Sequence, residues 1–145
     1  MSYNIEQANS GFLSLTAAGL AVGTNTGTFK TANTLAFTNN GIFKSKAATD
    51  NLTFSSGHTA LAASQACLFG IWISAAGSIA TTQGPIQAAG DPCPVPAAIA
   101  NYTLVGLIKV TTSSSGAFTP GTTGLGASGV TAAYSDCMDM PGSAQ

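Results

Sequence analysis

Apolar and polar positions alternate most clearly in two stretches. Along Cys67–Ser74 the odd positions Cys67, Phe69, Ile71 and Ile73 are apolar, while Leu68, Gly70, Trp72 and Ser74 occupy the even ones. Successive side chains of a strand point to opposite faces, so this period of two predicts a β-strand covered on both sides. Tyr102–Val110 repeats the pattern, with Leu104, Gly106, Ile108 and Val110 on one predicted face, Val105, Leu107 and Lys109 on the other, and Lys109 at the solvent end.

Shorter runs surround these two. Phe29 to Thr38 reads as a strand with Leu35 and Phe37 on one face, and Asn39-Asn40-Gly41 follows it. Asn and Gly tolerate the positive φ of tight turns, which predicts a hairpin between 35–38 and 42–45. A loop over Ala47 to Asn51 precedes a short strand Leu52–Phe54, with Ser55 to His58 again loop. Ala75-Ala76-Gly77 returns the strong strand into a second hairpin over 78–82. The proline-containing stretch Gln83 to Ala98, with Asp91-Pro92-Cys93-Pro94-Val95-Pro96 at its centre, reads as an extended surface linker. Pro120-Gly121 marks a turn, and a last strand is expected around Val130 to Tyr134.

Strands of about five residues between Gly, Pro, Asn and Ser turns, without a convincing long amphipathic helix, predict an all-β fold. The expected architecture is an antiparallel sandwich, jelly-roll-like, with an N-terminal arm. Residues 29–145 form the expected single β-sandwich domain. Residues 1–28 are expected to be an N-terminal arm, or a first strand, with a flexible linker at Gly23 to Thr28. Within it Phe12, Leu13, Leu15, Leu20 and Val22 are apolar enough to want burial and become candidate contacts to a partner or to another subunit.

Composition narrows the function classes. The chain has 145 residues, of which 6% are charged, against roughly 25% in an ordinary soluble domain. It contains no arginine and carries a formal net charge of −1. A basic field for phosphate neutralisation is therefore missing, which argues against nucleic acid as a partner. The same scarcity argues against a basic membrane-surface patch, and no apolar run approaches the length of a spanning helix. Met1 to Gln7 has neither a basic region nor an apolar core, so a cleaved secretory signal is not expected. A mean hydropathy of +0.31 with so little charge leaves little to hold copies apart, and points to life in an assembly.

Candidate chemistry is sparse. Cys67, Cys93 and Cys137 are irregularly spaced and odd in number, as suits reduced structural thiols. His58 with Cys67 lacks any recognisable oxyanion hole, and His58 with the three cysteines lacks the paired short spacing of a zinc site. Asp136 and Asp139 are too few oxygens for calcium and read as a solvated tail. Trp72 reads as core or subunit interface, Gly121–Gly126 as a loop rather than a phosphate cradle, and Lys44 with Lys46 as charges that blunt a sheet edge. No enzyme, cofactor or metal is expected.

Three stretches resemble small structural proteins of tailed bacteriophages: ANTLAFTNNGIFKSKAATDNLTF (32–54), LFGIWISAAGSIATTQG (68–84) and VPAAIANYTLVGLIKVTTSSSGAFTPGTTGLGASGVTAAYSD (95–136). The block from Leu104 through Phe118-Thr119-Pro120-Gly121-Thr122-Thr123 to Tyr134 is the most specific part. The resemblance implies a virion protein of the capsid decoration, or cement, type. Such a protein is assembled in the host cytoplasm, binds the major capsid protein on the outer surface of the head, and stabilises it. It commonly sits at three-fold positions, which makes a homotrimer the expected state. The alternatives are a head-fibre or tail-fibre tip domain and, from another class, a carbohydrate-binding β-sandwich module.

Overall fold

The computed structural model describes residues 11–138. Among them the chain forms β1 (Leu20–Val22), β2 (Phe29–Thr31), β3 (Leu35–Asn39), β4 (Ile42–Lys46), β5 (Thr49–Leu52), β6 (Gln65–Ser74), β7 (Ile79–Gln83), β8 (Gln87–Ala88), β9 (Tyr102–Thr112) and β10 (Val130–Asp136). The fold is all-β, antiparallel and sandwich-like. A large sheet of order β10-β9-β6-β7, with β8 also paired to β6, shares one hydrophobic core with two small sheets of order β1-β2-β5 and β3-β4.

The small sheets follow from one long hairpin. Leu20 pairs with Thr31 and Val22 with Phe29, while Ser14 bridges Phe37 in the same register. Between them the ladder continues through Ala32 N–H to the Gly19 carbonyl at 3.1 Å and Asn33 N–H to the Ala18 carbonyl at 3.2 Å. Residues 29–38 are thus two strands rather than the single one expected, broken over Ala32–Thr34 where the ribbon bends. The chain then turns back through Asn40 and Gly41, at φ 50° and 75°. Two consecutive positive φ values make the two-residue turn whose twist matches the flanking strands. The next strand also differs from expectation: β5 occupies Thr49–Leu52, because Leu52 must lie opposite Phe29, and Thr53 and Phe54 leave the ladder.

The core is built as the period of β6 predicts. Cys67, Phe69, Ile71 and Ile73 are all fully buried. Phe69 packs edge-on against Phe54 and Phe118, with ring centroids 5.0 Å and 6.1 Å away. Such aromatic geometry adds to the apolar area removed from water.

In β9 the alternation expected from sequence is corrected. Thr103 and Val105 are buried at one end, and Ile108, Val110 and Thr112 at the other. The phase slips because Ile71 pairs with Gly106 while Trp72 pairs with Leu104, which leaves Val105 as an extra residue. A bulge of this kind lets both halves of the strand face the core. Gly106 leaves no room for a side chain without a shift: a methyl group there would lie 2.2 Å from Leu20 Cδ1 and 3.0 Å from the Ser135 carbonyl.

Candidate functional site

The N-terminal candidates lie along their own domain. Leu13 N–H donates to Thr38 Oγ1 at 2.9 Å, Thr38 N–H donates to the Leu13 carbonyl at 2.8 Å, and Leu15 N–H donates to the Ala36 carbonyl at 2.8 Å. Leu20 is buried in the core, whereas Val22 is exposed. Phe12, Leu13 and Leu15 are half-buried. The described part of the segment, 11–22, is therefore a paired edge of the body, and four of its five apolar candidates keep some surface for a partner.

The linker 23–28 that follows is a structured turn. Thr28 N–H donates to the Asn25 carbonyl at 2.9 Å. Asp50 receives Thr24 N–H at 3.0 Å, the Thr24 hydroxyl, and Asn51 N–H at 2.7 Å. These donors hold its carboxyl below the usual range, with the Thr24 hydroxyl contributing most.

Asp136 is likewise no bare tail carboxylate, which corrects the sequence reading. Its two oxygens accept Gly19 N–H and Leu20 N–H, each at 3.0 Å. The carboxylate clasps the first strand to the last at the point where Leu20 crosses Gly106. Asp139 lies outside the described residues.

His58 and Cys67 are turned to different partners. Nε2 of His58 is 2.7 Å from Thr81 Oγ1, and its ring packs edge-on against Phe69 at 5.4 Å. Burial lowers its pKa. The Cys67 thiol receives Gln83 Nε2 at 3.6 Å and is pushed up to about 11 by burial. A nucleophilic cysteine requires the opposite shift, toward thiolate at neutral pH. Cys67 and Cys93 are free thiols. Among the described residues no three His, Cys, Asp or Glu side chains converge as metal ligands would, and no helix is long and apolar enough to cross a membrane.

Other polar side chains also serve the fold. Gln83 is bonded both ways to the Thr59 backbone, at 2.7 Å and 2.8 Å. The Thr112 hydroxyl lies 2.6 Å from the Ala62 carbonyl and accepts Gln65 N–H at 3.0 Å. Trp72 is nearly buried on the sheet face opposite the core, and its indole N–H donates to Thr82 Oγ1 at 2.7 Å.

Exposed apolar surface concentrates at the tip of the β3–β4 hairpin. Ile42 and Phe43 are 59% and 63% exposed, and no residue of β4 is buried. Lys44 and Lys46 sit opposite Phe37 and Leu35, on the face that β3 turns to the core. Reading the sequence found the hairpin but did not single out Ile42 and Phe43. The signal was available: once the Asn-Gly turn sets the register, lysines fall on the inward face of β4, and a strand with lysines there has no core face of its own.

In comparison with known proteins, the chain matches no family model, no curated protein and no solved structure.

Proposed function

We propose that this chain is a non-enzymatic structural component of a tailed-bacteriophage virion, a decoration protein that binds the major capsid protein on the outside of the assembled head and stabilises it. The observation that carries the reading is how the polar groups are spent. Asp50, Asp136, Gln83, Thr81 and Thr112 bond the protein's own backbone, while Ile42 and Phe43 stand exposed. A body built this way offers surface and rigidity in place of reactive groups. The likeness of residues 32–54, 68–84 and 95–136 to phage structural proteins supports the same reading.

A protein that bridges neighbouring capsid subunits binds the intact lattice better than separated subunits, so it stabilises the lattice by mass action, and many modest contacts act together. The same reading makes the free protein a homotrimer, in which half-buried Leu68, Leu104 and Leu107 on the outer face of the large sheet supply apolar area for subunit contact. The test is to add purified protein to heads that lack it. Saturable co-sedimentation and a higher melting temperature of the heads support the reading, and failure to bind any head overturns it. Light scattering that returns the 14.3 kDa monomer at micromolar concentration overturns the trimer.

A further inference from the structure

We propose that the outer edge of β4, with its Ile42–Phe43 tip, is a docking site for an extended acidic segment of a partner protein, which adds to the sheet as one more strand. The inference rests on the reading of the chain as an assembly component and gives its contact an address.

Three observations place the site. First, β4 pairs with β3 along one edge, and among the described residues no strand pairs with its other edge. In an antiparallel ladder closed by a two-residue turn, backbone groups point alternately to the partner and away from it. The Asn39–Ile42 pair closes this turn, so Phe43 and Ser45 direct their N–H and carbonyl groups outward, as an added strand requires. Second, two exposed apolar side chains, Phe43 at 63% and Ile42 at 59%, are adjacent on this strand. They offer the anchor that main-chain bonds alone lack.

Third, charge selects the occupant. Lys44 and Lys46 are half of the four basic side chains in the chain, and with Ile42 they share one face of β4. A second copy of β4 laid antiparallel in full overlap along this edge would set Lys44 against Lys44, and like charges directly opposite destabilise a strand pair. The carboxylates of Asp50 and Asp136 are already engaged with the backbone of their own domain. The five acidic residues of this chain, Glu6, Asp50, Asp91, Asp136 and Asp139, nowhere stand at alternate positions, so the complementary segment is foreign and acidic. It carries Asp or Glu at alternate positions facing Lys44 and Lys46, with apolar residues between them to cover Phe43.

Zero-length carbodiimide crosslinking of native complexes from cells that produce the protein tests this, because it joins an amine to a carboxylate only in direct contact. Mapped links are expected from Lys44 or Lys46 to one partner segment with alternating acidic and apolar residues. They should weaken at high salt and fall about tenfold in Phe43→Ser, as for loss of a central aromatic anchor, while the melting temperature of the variant stays that of the parent. Links only from Lys30 or Lys109, links from β4 to other copies of this chain, links indifferent to Phe43→Ser, or no link at Lys44 and Lys46 each overturn the docking site. A qualifying link to a protein outside the virion upholds the docking site and removes the decoration reading. Head binding without links at β4 does the reverse.

Discussion

Strands β6 and β4 are both members of tight hairpins, yet they stand at opposite ends of the range of burial in this molecule. β6 is paired on both edges, with β9 on one side and β7 and β8 on the other, and eight neighbouring positions from Ala66 to Ile73 include only one that is not buried. β4 is paired on one edge and buries nothing. Apolar residues in β6 hold the sandwich together, whereas those in β4 are left exposed and do not stabilise the fold. The same residue types therefore carry different work, and pairing decides which.

The sharpest way to break the contrast is to remove the first edge of the small sheets. Deleting residues 1–22 takes away the partners of β2 and β3, the Leu20 contact over Gly106 and the Asp136 clasp. The truncated protein is expected to lose cooperative unfolding altogether, as read by near-ultraviolet circular dichroism and urea titration. A cooperatively folded product would mean that the pairing of residues 11–22 adds little to the stability of the body.

Within β6, Phe69→Ala should cost about 3–5 kcal/mol, the range for a buried aromatic replaced by a cavity, measured as a shift of the urea midpoint. At the bulge, Gly106→Ala forces a methyl group toward Leu20 and the Ser135 carbonyl. A loss of about 1–3 kcal/mol, typical of overpacking, is expected in the same assay.

The His58 corner sharpens the comparison through pH. Burial depresses the folded-state pKa of His58, so the unfolded chain takes up a proton first as pH falls through about 6.5. The stability tied to neutral His58 is complete above that pH and is lost as pH falls toward the lower folded value. Urea titrations at about pH 7.5 and 5.5 should show this loss, and His58→Gln should remove it. The smallest effect belongs to β4. The pair of substitutions Ile42→Thr and Phe43→Ser should change stability by no more than about 0.5 kcal/mol, while abolishing whatever binding the hairpin supports. A large drop in melting temperature would place β4 among the structural strands.

Much of this architecture was legible in the order of residues. The period of two over Cys67–Ile73 named the core face of β6 outright, and Asn39-Asn40-Gly41 named a turn. These are local properties: side-chain alternation and tolerance of positive φ depend on a few neighbouring residues. The candidate site was legible only in part. Phe12, Leu13, Leu15 and Val22 are apolar, but whether they pair at home or reach away depends on β2 and β3, from the pair Val22–Phe29 to the pair Ser14–Phe37. Ile42 and Phe43 looked like ordinary strand residues until the fold left both faces of the hairpin tip uncovered.

The sequence by itself determined that this protein is all-β, where its two long strands run and how the β3–β4 hairpin closes. Only the tertiary structure decided the phase of β9, the place of the N-terminal segment and the exposure of β4. The reason is one of range. A bulge at Val105 costs a local alternation nothing that can be read beforehand. It is selected because Gly106 must let Leu20 approach and because both ends of the strand must bury apolar residues against a sheet formed by distant parts of the chain. Burial is a property of pairs, and pairs separated by up to 117 positions, such as Gly19 and Asp136, exist only once the chain has folded.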